Sequence, residues 1–277
     1  MNPEPIHEIF IDDINSDMKL IMKFDIDFPF IPCSLMYIDY SNFFGNKIYN
    51  IKDDITKQQI DSFFNEINPP ENAGEYASVD QVIDDIKEKK GCKIRGILKL
   101  NHISATLQFS SSFKYNIFEI FAKKNITYYP NYNHRINLFQ FGLNYFDKSI
   151  VKHFKDLSFN PLDGTQFNES SQYYLKHIYH LNVVPISIAM NSYEYASYQF
   201  NVLKNIFPTN QYYSGMKFVF EISPLHIRYE DKTPSTISFL FNLVSIIGGV
   251  FTAFRILESI IHSSISKVFK ERINKLR

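Results

Sequence analysis

Residues 233 to 254 read TPSTISFLFNLVSIIGGVFTAF, a stretch without a single charged side chain. About twenty such residues in a helix are enough to cross the hydrocarbon core of a bilayer. Five basic residues follow, Lys267, Lys270, Arg272, Lys275 and Arg277, with only Glu271 among them. Basic side chains close behind a span stay on the cytoplasmic side. Three segments follow: a lumenal part over 1–232, a membrane helix with its exit turn over 233–262, and a basic cytosolic tail over 263–277. The competing reading is a buried helix of a soluble protein. Ser235, Thr236, Ser238, Asn242 and Ser245 would favour it by diluting the apolar character. Such a length without charge is nevertheless rare in soluble cores.

The part before the span alternates. Leu20, Met22, Phe24, Ile26 and Phe28 oppose Lys19, Lys23, Asp25 and Asp27, the period of a half-buried strand. Pro29 and Pro32 interrupt it, and Ser34–Tyr40 reads as a second strand. Cys92–Leu100 alternates again, and Ile136–Phe141, Ile178–Ile188, Tyr195–Val202 and Lys217–Ile222 are strand-like runs. Ser78 with Gln81 forms a capping box ahead of Val79, Val82, Ile83 and Ile86 at helical spacing. A weaker helical pattern covers Ile51–Ile67. The expected fold is mainly β: an antiparallel β-sandwich with a helical excursion over about 51–90, followed by the membrane helix.

Charge and chemistry exclude several classes. Lys plus Arg and Asp plus Glu are both 29, so no charge excess invites nucleic acid. Asp12-Asp13, Asp53-Asp54 and Asp84-Asp85 are adjacent pairs whose side chains diverge, whereas general acid–base work needs carboxylates converging across a cleft. No phosphate loop or nucleophile elbow is visible. The reading is not an enzyme, with no cofactor. The His177/His180 pair has no carboxylate or Cys placed to complete a metal site. Cys33 and Cys92 each sit beside a strand-like run, and in a lumen they read as one structural disulfide. Asn125-Ile126-Thr127 and Asn168-Glu169-Ser170 are glycosylation sequons. Met1–Asp17 holds neither a signal peptide's apolar core nor a span. With sequons and a basic tail pointing to a lumenal domain, a further N-terminal span upstream is expected.

Several blocks together resemble the ER–Golgi cargo-receptor family, the endoplasmic reticulum vesicle transporters or ERGIC proteins. They are HEIFIDD at His7–Asp13, Leu20–Cys33, GCKIRGIL at Gly91–Leu98, HRINLFQFG at His134–Gly142 and NPLDGT at Asn160–Thr165. Val183-Val184-Pro185, SYQFNV at Ser197–Val202, FEISPL at Phe220–Leu225 and IIGGVFT at Ile246–Thr252 continue the series. One branch of that family carries a cysteine-rich insert. Here Asp53–Lys90 has no cysteine, so the chain looks closer to the branch without it. The resemblance implies a lumenal β-sandwich that cycles between ER and Golgi membranes and pairs with a paralogous family member. It further implies capture of lumenal client proteins and engagement of a vesicle coat through its own tail or the partner's. An accessory structural subunit that touches no client is the first alternative. A lectin-like or carbohydrate-processing lumenal module is the alternative of another class.

Candidate sites follow. Asn160, Pro161, Asp163 and Gly164 form a turn that could contact cargo or partner, although Pro161 and Asp163-Gly164 suit a plain reversal. Seven histidines precede the span, and imidazole titrates in the range separating ER from later compartments. His134 and His226 are the first pH-sensing candidates. Ser245, Gly248, Gly249 and Thr252 place small residues four apart in the span, where they would let helices approach closely.

Overall fold

A computed structural model describes residues 5–11, 19–72, 78–111, 117–126, 128–142, 159–169, 174–190, 193–209, 214–231 and 236–275. Asp12, Asp13, Thr127, His153, Ser170, Thr233 and Arg277, and the side chains of the basic tail, lie outside the described residues. The chain divides into two compact units: residues 7–230, and residues 1–6 with 231–277.

The larger unit is a two-sheet β-sandwich. One sheet runs β10 (Thr165–Phe167), β9 (His134–Phe141), β2 (Lys19–Phe28), β7 (Gly91–Asn101), β5 (Ile55–Ile60) and β6 (Glu71–Asn72), all antiparallel. The other contains β1 (Pro5–Ile11), β14 (Leu225–Asp231), β11 (Tyr174–Met190), β13 (Gly215–Ile222), β8 (Ala105–Ser110), β3 (Tyr37–Asn42) and β4 (Lys47–Ile48), with β12 (Tyr193–Thr209) also paired to β11. Alternation decides which face is buried. Leu20, Met22, Ile26 and Phe28 are fully buried and Phe24 nearly so, as the period of two requires. The sheets meet through phenylalanine. Phe139 stacks on Phe218 at 4.5 Å, Phe24 meets Phe109 edge-on at 5.6 Å, and Phe141 meets Phe200 at 5.4 Å. Nine phenylalanines are buried among the described residues and dominate the core. Gly96 is glycine because the Phe24 ring lies where a Cβ would stand.

β11 departs from the antiparallel rule. Along one edge it pairs with β12 over all 17 residues of each strand. Along the other it pairs in parallel with β13 over Lys176–Val183 and then with β14 over Ile186–Ala189. Between these ladders four residues, 223–226, face only 184 and 185 of β11. Pro224 lacks the N–H needed to continue a ladder. Ile186, Ile188 and Tyr229 build a small second core on this far half.

The helical reading of Ile51–Ile67 is overturned: Ile55–Ile60 is strand β5, paired with β7. The spacing of isoleucines imitates a helix, but cross-strand pairing supplies burial that an isolated weak helix lacks. Ser34 begins no strand either; Cys33–Leu35 is a 3-10 turn and β3 starts at Tyr37. The capped helix is present as α1 (Val79–Lys87), and the Gln81 N–H donates to Ser78 Oγ at 3.2 Å. A second short helix, α2, covers Ile117–Lys123.

The smaller unit carries one continuous helix, Thr236–Lys275. Its segment Phe239–His262, 24 residues with mean hydropathy 1.8, is not buried against protein and is long and apolar enough to span a bilayer. At 1.5 Å per residue it measures about 36 Å. The Thr252 hydroxyl donates to the Gly248 carbonyl at 2.8 Å, which satisfies it inside the helix. A Cβ added at Gly248 or Gly249 would meet nothing within 4 Å outside the helix's own backbone.

Candidate functional site

The two outer faces of the sandwich differ in how their polar groups are used. On the β9–β2–β7–β5 face they are engaged with one another. Arg135 donates from Nε and Nη2 to Asp27 Oδ2 at 3.0 and 2.7 Å and lies 4.0 Å above the Phe64 ring. Arg95 donates to Asp25, Gln58 and Glu66. Lys93 and Gln58 also donate to Glu66 and hold its carboxyl below the usual range. Opposite charges face one another across strands, an arrangement that stabilises the sheet. Asp27 is buried, so its pairing with Arg135 is obligatory.

On the β12–β11–β13 face the polar groups are not engaged. The register sets Asn201, Asn182 and Glu221 in one row across the three strands, and Leu203, His180 and Val219 in the next. These residues line a cleft of about 400 Å³. Among the described residues, no hydrogen bond or ion pair engages the side chains of Asn182, Asn201, His180 or Glu221. Leu203 is 63% exposed. Sequence reasoning missed this row, because it is assembled from three strands and is carried by no contiguous motif.

The cysteines pair as expected: Cys33 and Cys92 form a disulfide that joins the turn after β2 to the start of β7. Gly91 is pressed against the Phe28 carbonyl and Pro29, so the Gly-Cys pair is a close-approach point as well as a bridge. Ser34 Oγ and Lys90 Nζ both donate to buried Asp85 nearby, at 2.6 and 3.1 Å.

Asn160–Gly164 is a hydrogen-bonded turn against β9. β9 is bulged opposite Asp25–Ile26. The turn takes up the backbone groups this leaves: the Phe139 N–H donates to Asp163 Oδ1 at 2.7 Å, and the Gly164 N–H donates to the Ile136 carbonyl at 2.8 Å. Gly164 sits at φ 73°, the left-handed region that glycine tolerates. Asn125 and Asn168 are exposed, and Asn168 Oδ1 accepts from Asn133 Nδ2 at 3.0 Å.

His134 is buried at 1% exposure. Its Nδ1–H donates to the Tyr132 carbonyl at 2.7 Å, so Nε2 accepts from the Tyr179 hydroxyl at 2.6 Å. Burial, with His177 and Lys204 nearby, pushes its pKa down to about 3. His134 therefore stays neutral throughout the range in which a compartment switch must act, a correction to its reading as a direct sensor. His177 packs against it at 5.3 Å and is pushed down to about 4 by burial and by Lys204. His226 is half-buried beside Phe10, with ring centroids 6.5 Å apart.

These features define a class: a disulfide-bridged β-sandwich followed in sequence by a single apolar helix, with no group of three or more metal-ligating side chains among the described residues. The sequence profile of the Endoplasmic reticulum vesicle transporter family matches residues 72–258, and the chain belongs to that family. It is 22% identical over 281 residues to endoplasmic reticulum-Golgi intermediate compartment protein 1 of Xenopus laevis, covering 99% of this chain and 83% of that protein. The Danio rerio protein of the same name is 22% identical over 280 residues, covering 99% and 82%. The crystal structure of Erv41p shares the fold at a TM-score of 0.57 and 19% identity, covering 82% of this chain and 100% of that one. The protein is thus an ER–Golgi membrane protein of a vesicle-transport family.

Proposed function

We propose that the sandwich is a lumenal receptor that binds client proteins without covalent chemistry and moves with them between ER and Golgi. The observation that carries this reading is the unengaged polar face of β12–β11–β13, set beside an opposite face whose charges are internally paired. Polar side chains left to water on a sheet face can exchange that water for the groups of a ligand. The disulfide supports the lumenal side, since such bonds persist in oxidising compartments. The basic tail then lies in the cytosol, within reach of a vesicle coat.

A second reading, pairing with a paralogous subunit, is favoured by the β3–β4 hairpin. Phe43, Phe44, Ile48 and Tyr49 are 80, 74, 55 and 69% exposed at the sheet's edge, and clustered exposed apolar side chains mark protein–protein contacts. The two readings separate by client cross-linking in cells lacking the paralogue. Retained client adducts support direct capture, and their complete loss makes this chain the accessory subunit. Protease added to intact microsomes is expected to remove a C-terminal tag and spare the sandwich; the reverse pattern overturns the topology. With His134 held neutral, pH-dependent binding through the lumenal histidines passes first to His226. A capture profile from pH 5.5 to 7.5 that is unchanged by His226→Gln rejects that residue.

A further inference from the structure

We propose that the cleft on β12–β11–β13 binds a neutral, hydroxyl-rich ligand: a hexose unit of the glycan carried by a client protein. The inference deepens the client-binding reading and rests on it. Carboxamides both donate and accept hydrogen bonds, as sugar hydroxyls do, so a row of them can pair with hydroxyls in either sense. The carboxamides of Asn201 and Asn182 and the acceptor carboxylate of Glu221 form a row across three neighbouring strands, spaced at the strand separation of about 4.8 Å. The adjoining row places Leu203 and Val219 on either side of His180, giving apolar flanks for the C–H face of a sugar ring.

Three further observations point the same way. No Lys or Arg lines the cleft, and Glu221 is its one carboxylate, so phosphorylated or sialylated ligands find no countercharge. The polar side chains are unengaged by protein groups among the described residues, so binding would exchange only their hydrogen bonds to water. The central strand of the row, β11, is paired along both edges, to β12 on one side and to β13 on the other, so its backbone N–H and C=O groups are taken up by the ladders. Among the described residues β12 is an edge strand paired only with β11, so an added peptide strand is the competing occupant at that edge, while a ligand lying across the face meets side chains alone. Strands also hold a site more rigidly than loops do.

The test uses the full chain in detergent micelles, passed over three immobilised probes: a neutral high-mannose N-glycan, a sialylated N-glycan, and an unglycosylated extended peptide. The expected result is retention on the high-mannose probe alone. The Asn182→Ala, Asn201→Ala double variant should weaken retention by tenfold or more, while Lys87→Gln on α1 leaves it unchanged. Intact thermal unfolding of the double variant shows that the loss is local. No retention on any probe, a preference for the sialylated glycan or the peptide, or retention indifferent to the double variant overturns the proposal. Enzymatically deglycosylated clients that still cross-link as well as glycosylated ones also overturn it, and leave the receptor reading standing.

Discussion

At the residue scale, His134 and His177 tie stability to pH. Both are neutral in the fold, with pKa values near 3 and 4 against an ordinary value of 6.5. The unfolded chain therefore binds their protons first. The stability they allow is complete above about 6.5 and is lost as pH falls towards 4 and then 3, by up to about 1.4 kcal/mol per pH unit for each histidine. Urea unfolding at pH 7 and pH 5 should show lower stability at pH 5, and His177→Gln should flatten the dependence by about one histidine's share. A pH-independent midpoint would show that the pair is not buried neutral. The burial of His134 was not legible in the sequence. It opens a strand with the alternation of its neighbours, and nothing local reveals that Phe167, His177 and Tyr179 from other strands close over it.

At the element scale, the Asn160–Gly164 turn can be tested as support or as contact surface. Asp163→Ala removes the acceptor for a partly buried Phe139 N–H and should cost about 1–3 kcal/mol in thermal or chemical unfolding. If the turn is instead a contact surface, the variant loses partner or client capture at unchanged stability. Elements were legible where period and burial agree. β2, β7 and β9 alternate because each has one face on the core, and α1 carries its own cap at Ser78. β5 was illegible because its burial comes from β7 and from the side chains of Gln58 and Lys57, whose polar heads are satisfied by partners distant in sequence. The full reach of β12 to Thr209 was hidden by Lys204 and Pro208, which its register against β11 accommodates. The candidate ligand row was less legible still, since strand order and register must be known before Asn201, Asn182 and Glu221 become neighbours.

At the scale of the whole molecule, the sandwich has two distinct ends. The β3–β4 hairpin tip, Ser104 and the end of β13 lie together, linked by the Phe43 N–H to the Ser104 carbonyl and the Ile222 N–H to Ser104 Oγ, at 2.9 and 3.3 Å. Asn168, just past the Phe167–His134 pair, lies at the opposite end. So does Asn125, just past Lys124, which bonds to Asp80 of α1 at 2.9 Å. With the sandwich in the lumen, endoglycosidase should shift the protein in two steps, and Asn125→Gln and Asn168→Gln should each remove one. A protein that does not shift would contradict the lumenal placement. The disulfide has a further consequence at this scale. The chain closed between Cys33 and Cys92 supplies β4, the last strand of one sheet, and β6, the last strand of the other. One covalent bond at the β2–β7 ladder thus closes the loop of chain that completes both sheets, like a stitch through the spine of a book. In a reducing compartment that loop loses its restraint and the two outermost strands are held by their ladders alone, so a molecule that fails to reach an oxidising lumen is less stable and readier to bare strand edges.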